Sequence, residues 1–297
     1  MTGPVSPTAP ASIASGTVIG AVRLTVHDLD RSRAFYEQAL GLTAHSRPDG
    51  VLALGARGGR VLLELAGDGA ARPLERRAPG LFHFAVLMPG RRELAEALIR
   101  LLRAGWPLSG ASDHLVSEAL YLDDPDGNGI EIYRDRPRPE WPREGGVLQM
   151  ATLPLDLDDL VRELAGRPGA LEEIPPFAPA GAVLGHVHLQ VAELRDVEAF
   201  YAGVLGFEVT VRGYPGALFV SAGGYHHHIG LNTWHSAGSQ PQAPGAVGLR
   251  SFDVVLPGAE SLREVLARID AAGLPREDRD GGAVVRDPSG NAVLLRV

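Results

Sequence analysis

Glu131 stands in an otherwise apolar stretch, where strand alternation puts Ile130 and Ile132 on one face and Gly129, Glu131 and Tyr133 on the other. A lone carboxylate in that setting needs either water or a cation. The preceding turn, Asp124, Pro125, Asp126, Gly127 and Asn128, has residue types that fix a tight reversal. It therefore sets where Glu131 falls relative to His114 and Tyr121 upstream. Two further patterns could bind metal: the H-x-H pair His186 and His188, and the run His226, His227 and His228. The chain has no cysteine, so a thiolate site, a cysteine nucleophile and a disulfide framework are all excluded. Any transition metal has to be held by imidazole and carboxylate.

Taken singly, each residue has a plainer reading. Glu131 fits a solvent-facing carboxylate on an edge strand, His83 a core histidine bonded to backbone, Tyr121 an ordinary strand residue, and 226–228 a partly buried polar strand. Alternation in such a strand would send His227 to the opposite face from His226 and His228, so at most two of the three could serve one site.

A chain of 297 residues, 45% hydrophobic and 22% charged, has the composition of a globular protein of about two domains. The net charge of −8 and the lack of a Lys/Arg block argue against nucleic acid or an anionic membrane as partner and leave a small molecule as the default. Residues 1–17, rich in Pro, Ser, Thr and Ala, read as a disordered tail rather than a signal segment. No apolar run approaches membrane-spanning length, so a cytoplasmic location is expected.

The elements that position these residues come from a repeat. Residues 19–42 return as 184–207 at a constant offset of 165, with Phe35 and Tyr36 matched by Phe200 and Tyr201 and Gly41 by Gly206. Each copy reads as an alternating strand followed by an amphipathic helix, whose aromatic pair is core. Residues 81–105 return as 249–273, and each copy runs on to a D-P-x-G-N turn at 124–128 and 287–291. The chain thus reads as an α+β protein of four βαβββ modules at about 18–67, 80–134, 183–232 and 247–297. These form a first domain over 18–134 and a second over 183–297, with 135–182 as connector, including a short helix in 156–166.

This pattern resembles the vicinal oxygen chelate superfamily, which joins glyoxalases, bleomycin resistance proteins and extradiol dioxygenases. Within it the chain is most similar to two-domain ring-cleaving proteins of the catechol 2,3-dioxygenase type. The carrying residues are the two A-F-Y-x-x-x-L-G helices and the string His114, Leu120-Tyr121, Asp124-Pro125-Asp126-Gly127, Glu131. In that string Ser112 stands where the family usually has another small residue. In the family each module offers ligand positions on its first and last strands. Here these are Ala21 and Glu64, His83 and Glu131, His186 and one of 226–228, and Ser251 and Leu294.

The resemblance therefore implies a 2-His-1-carboxylate site from His83, His186 and Glu131, with modules two and three closing one cup and modules one and four a degenerate one. That departs from the usual extradiol arrangement, which draws its ligands from the third and fourth modules. It also implies Fe(II), or Mn(II) with the same ligands, and O₂ as co-substrate. The expected reaction is cleavage of a small aromatic diol beside its hydroxyls. By the same resemblance His228, or His226, is the acid–base histidine, with His114 and Tyr121 assisting, while His188, His226, Tyr225 and Asn232 line the pocket. Two other classes compete: a metal-dependent lyase or isomerase of glyoxalase type, and a non-enzymatic binder that sequesters a planar molecule. Such a chain can complete its cups alone, as a monomer, or as a homo-oligomer.

Overall fold

The computed structural model describes residues 12–165, 171–279 and 281–297. Module one comprises β1 (Val18–Val26), α1 (Leu29–Gln38), β2 (Thr43–Ser46), β3 (Leu52–Gly55) and β4 (Val61–Gly67). Module two comprises β5 (Gly80–Leu87), α2 (Arg91–Arg103), β6 (Gly110–Asp113), β7 (Ser117–Asp123) and β8 (Gly129–Asp135). The connector supplies β9 (Arg143–Glu144), β10 (Val147–Leu148), β11 (Leu153–Pro154) and α3 (Leu157–Arg162). Module three has β12 (Val183–Gln190), α4 (Leu194–Glu198), which runs on as a π-helical stretch Ala199–Val204, β13 (Glu208–Val211), β14 (Ala217–Ser221) and β15 (Ile229–Asn232). Module four has β16 (Gly248–Val255), α5 (Ala259–Ala271), β17 (Arg276–Arg279), β18 (Gly282–Arg286) and β19 (Ala292–Arg296).

In every module the helix crosses over so that the first strand pairs in parallel with the last: β1 with β4, β5 with β8, β12 with β15, β16 with β19. The modules then join through antiparallel pairing of first strands. β5 meets β12 at the centre of a nine-stranded sheet, β11-β6-β7-β8-β5-β12-β15-β14-β13. β1 meets β16 at the centre of an eight-stranded sheet, β17-β18-β19-β16-β1-β4-β3-β2. One sheet thus holds modules two and three, and the other holds modules one and four.

Both sheets are tied together by the repeated motifs. The Tyr36 hydroxyl on α1 donates to Asp124 of the turn before β8 at 2.9 Å, and the Tyr201 hydroxyl donates to Asp287 of the turn before β19 at 3.0 Å. The two tyrosines expected as plain core are fully buried, and in addition each holds the turn that leads into a last strand.

Two expectations change. The tail was expected over 1–17; residues 1–11 lie outside the described residues, but 12–17 pack on the protein. Ile13 is buried, and its N–H donates to the Gly206 carbonyl at 2.7 Å, because an apolar side chain in that stretch finds a place in the core. The connector is also more than a link, since β11 pairs with β6 and extends the nine-stranded sheet, while Trp141 and Leu148 bury against Val116 and Tyr225. Its expected helix is present as α3, capped by Asp156, which accepts from the Asp159 N–H at 2.9 Å. Among the described residues no helix is long and apolar enough to cross a membrane.

Candidate metal centre

The register of three adjacent strands assembles the centre. Across β8, β5 and β12 one row reads Glu131, Ala85, His186, and the neighbouring row reads Gly129, His83, His188. In the first row the middle residue is a fully buried alanine, so the long side chains on either side can meet over it. In the second row the two imidazoles have glycine on their outer sides. A Cβ at Gly129 would stand 3.1 Å from the His83 Cβ, and one at Gly230, opposite His188 on β15, would stand 2.9 Å from the His188 ring. The ring positions are set by small neighbours as much as by the histidines themselves.

His83, Glu131 and His186 converge here, each offering one ligand atom, with all three atoms within 4.8 Å of one another. Both imidazole Nε2 atoms approach the same carboxylate oxygen, Glu131 Oε2: His186 at 2.9 Å in hydrogen-bonding geometry, His83 at 3.0 Å without it. His83 Nε2 is therefore a buried ring nitrogen with no hydrogen-bond partner, aimed at an anionic oxygen. Such an orphan is costly in a finished protein core and is accounted for when a cation sits where the three atoms point. Two imidazoles and one carboxylate are a donor set suited to a divalent first-row metal such as Fe(II) or Mn(II). Burial by itself would raise the Glu131 carboxyl, but the charge and hydrogen bond of His186, with the close approach of His83, outweigh it and hold the group well below the usual carboxylate range. Placing a valine at Ala85 tests the row: Ala85→Val should cost about 1–3 kcal/mol by overpacking, seen in urea unfolding. It should also lower bound metal per chain, because its methyls enter the space that Glu131 and His186 cross.

A cavity of about 430 Å³ opens over the cluster, with His83, Glu131 and His188 in its floor. Phe82, Tyr214, Phe219 and Trp234 wall it on one side. Met150, Ala151 and Thr152 of the connector close another edge. His114 and Tyr121 also line it. The His114 Nδ1 lies 2.7 Å from the Ala151 carbonyl, which can only accept, so that nitrogen carries its hydrogen. The Nε2 lies 2.7 Å from the Tyr121 hydroxyl, and in the neutral ring it accepts from it. Burial, reinforced by the Glu131 charge, pushes the Tyr121 hydroxyl well above the ordinary phenol value. His188 is held well below the usual imidazole range by burial and by the neighbouring histidines, and its buried Nε2 has no partner.

The three-histidine run is placed differently from expectation. The strand expected through it begins only at Ile229; residues 222–228 form an irregular turn with Gly223 and Gly224 at φ 60° and 69°. Strict alternation therefore does not govern it. His227 lines the cavity, its ring 4.1 Å from that of His186, centre to centre. His228, expected as the acid–base group, lines a second cavity of about 320 Å³, together with Tyr225. Its Nδ1 accepts from the Ala222 N–H at 3.1 Å. His226 lies behind His227, on Asp135. Asn232 is fully buried and accepts from the Trp234 N–H at 3.2 Å; it is absent from the cavity wall. Among the cavity residues that sequence reasoning missed are His227, Phe82, Phe219, Tyr214 and Trp234, together with the connector residues Met150, Ala151 and Thr152. The only available signal for His227 was its membership of the run.

His228 also makes stability depend on pH. Burial and the His226 ring push it down to about 4, so the folded protein refuses a proton that the unfolded chain takes. Stability is then lost as pH falls from about 6.5, and the loss is complete below about 4, worth about 3 kcal/mol. His228→Asn, whose side-chain oxygen can still accept from Ala222, should remove that share of the pH slope in urea titrations at pH 7 and pH 4.5.

The equivalent place in the other sheet is filled by charge. Arg23 stands where His188 does, Asp253 where Ala85 does, Ser251 where His83 does and Leu294 where Glu131 does. Arg23 is bonded to Asp253 and pairs with Glu64 at 2.8 Å, and Glu64 is bridged in turn by Arg47 at 2.8 Å. Glu64, a possible ligand by position, is committed to two guanidinium groups.

A model of the Glyoxalase/Bleomycin resistance protein/Dioxygenase superfamily matches residues 18–132 and 183–295. A catechol-2,3-dioxygenase of Bacillus subtilis (strain 168) is 44% identical over 290 residues, covering 96% of this chain and 99% of that protein. Among solved structures, a candidate dioxygenase from Bacillus subtilis subsp. subtilis str. 168 aligns with a TM-score of 0.59 at 14% identity, over 96% of this chain and 86% of that one. Glyoxalase I from Zea mays aligns with a TM-score of 0.53 at 16% identity, over 95% of this chain and 92% of that one. At these identities the structural likenesses speak for the fold alone.

Proposed function

The chain belongs to the Glyoxalase/Bleomycin resistance protein/Dioxygenase superfamily and is a dioxygenase enzyme, and from that premise we propose that it cleaves a catechol-type ring beside its diol, using Fe(II) and O₂. The observation that carries this reading is the convergence of His83, Glu131 and His186 at the base of an aromatic-walled cavity roomy enough for a substituted ring. These three residues would hold the metal. When bound, it supplies open coordination positions for the vicinal oxygens of the diol and for O₂, and a path for electrons between them.

The rest is proton handling and exclusion of water by the chain. A diol loses protons when it is chelated, so a neutral imidazole facing the cavity is needed to take one. His227 fits that task. It lies in the wall beside His186, and burial with the surrounding imidazoles keeps it well below its usual range, hence uncharged and able to accept. Tyr121 gives its one hydrogen to His114 and presents hydroxyl lone pairs on the opposite side of the cavity floor that can accept from a hydroxyl of the substrate. The connector residues Met150 to Thr152 and the Phe82, Phe219 and Trp234 side chains keep water from the reacting ring.

The test is to purify the protein without air, measure bound metal, and follow O₂ uptake and the yellow ring-opened product with catechol. Fe(II)-dependent uptake of about one O₂ per catechol supports the reading. Catalysis that proceeds without O₂ on Ni(II), Mn(II) or Zn(II) would replace it with a lyase or isomerase.

A further inference from the structure

Beyond Glu131, β8 carries two more groups on the same face: Tyr133 and, at its end, Asp135. The Asp135 Oδ1 lies 2.8 Å from His226 Nε2 and also accepts from the Tyr225 hydroxyl at 3.2 Å. On the other side of the His226 ring, Nδ1 lies 2.8 Å from His227 Nδ1. His226 is fully buried, so water does not reach its ring to complete the pattern otherwise.

The hydrogens along this line follow from the acceptor at its end. An ionised carboxylate only accepts, so His226 Nε2 carries the hydrogen. A neutral imidazole has a single N–H, which leaves His226 Nδ1 as a lone pair. At 2.8 Å that lone pair needs a donor, and His227 Nδ1 is the atom facing it. His227, neutral and protonated on Nδ1, then has its lone pair on Nε2. We infer that Asp135 and His226 are positioning residues that fix His227 as the Nδ1–H tautomer, with Nε2 free to take the proton of a bound hydroxyl. The inference rests on the proposed function for what His227 does, but not for which nitrogen is protonated.

Replacing the carboxylate with an amide reverses the pattern. In Asp135→Asn the amide can turn its NH₂ toward His226 Nε2, which makes that nitrogen the acceptor, moves the hydrogen to His226 Nδ1, and forces His227 to carry its own on Nε2. Asp135→Glu keeps an acceptor-only end.

The test uses the full chain loaded with Zn(II), which is diamagnetic, with ¹⁵N-labelled histidine. The expected result is a His227 ring with protonated Nδ1 and bare Nε2 in the unaltered protein and in Asp135→Glu, and the opposite tautomer in Asp135→Asn. With Fe(II) and catechol, Asp135→Asn should lower kcat about 10–100-fold, the usual scale for losing an orienting partner, while KM and iron content stay within about twofold; Asp135→Glu should recover most of the rate. Finding His227 protonated on Nε2 in the unaltered protein, as a doubly protonated His226 would cause, overturns the inference. So does an unchanged kcat in Asp135→Asn once its tautomer has flipped. If no chain consumes O₂ with catechol, the proposed function fails, and the nitrogen spectra still decide the tautomer.

Discussion

Glu131→Gln is expected to fold normally, to lose most of its bound metal and to consume O₂ with catechol more than about 100-fold more slowly, beyond the 10–100-fold that removal of an outer partner costs. The carboxylate is buried and is approached by two imidazole Nε2 atoms at 2.9 and 3.0 Å. An amide is the same size but has no charge to offset a divalent cation, and it turns one donor end toward atoms that must themselves be lone pairs. Folding should survive because a neutral isostere replaces a buried charge that, without a cation, has a single well-formed hydrogen bond, from His186. Metal content per chain and the midpoint of urea unfolding separate the two effects. A variant that binds iron as tightly as the unaltered protein would remove Glu131 from the ligand set, and the oxygenase reading would lose its anionic donor.

The same comparison shows what was legible in the sequence. His83 and Glu131 lie on regularly paired strands, and His186 lies just past a one-residue register shift between Leu184 and His186 in β12; alternation gives the face and the repeat gives the position along the strand, so their convergence follows from a pattern readable in one dimension. The histidine run failed that rule because two left-handed glycines, Gly223 and Gly224, break the strand before Ile229. Once the backbone turns there, side-chain direction depends on three-dimensional packing against Phe219 and His186. The aromatic wall was illegible for another reason. Phe82, Phe219 and Trp234 come from β5, β14 and the segment after β15, and nothing in their spacing marks them as neighbours until the sheet is assembled. The Arg23–Asp253 pair is the same case across modules one and four. Sequence could show that this cup lacks ligands, but not that charges fill it.

Asp124→Ala should cost about 3–5 kcal/mol, the largest stability effect expected of one residue here, and should also impair the metal centre. Its carboxylate, 4% exposed, accepts from the Tyr36 hydroxyl at 2.9 Å, from the N–H groups of Asp126 and Asn128 at 2.9 and 2.8 Å, and from the Asn128 amide at 2.9 Å. Alanine leaves all four donors unmet in a place water barely reaches. The turn they hold is the entry to β8, three residues before Glu131, so loosening it lets the carboxylate drift from the two imidazoles. Asp287 supplies the control. It accepts from Tyr201, Ser289 and Asn291 in the same pattern, at 2.8–3.0 Å, but β19 carries Leu294 where β8 carries Glu131. Asp287→Ala should therefore match the loss of stability in urea unfolding while the folded protein keeps its metal affinity and turnover. Equal loss of metal in both variants would mean that the turns act through the general rigidity of the two sheets, and that β8 gives Glu131 no local precision of its own.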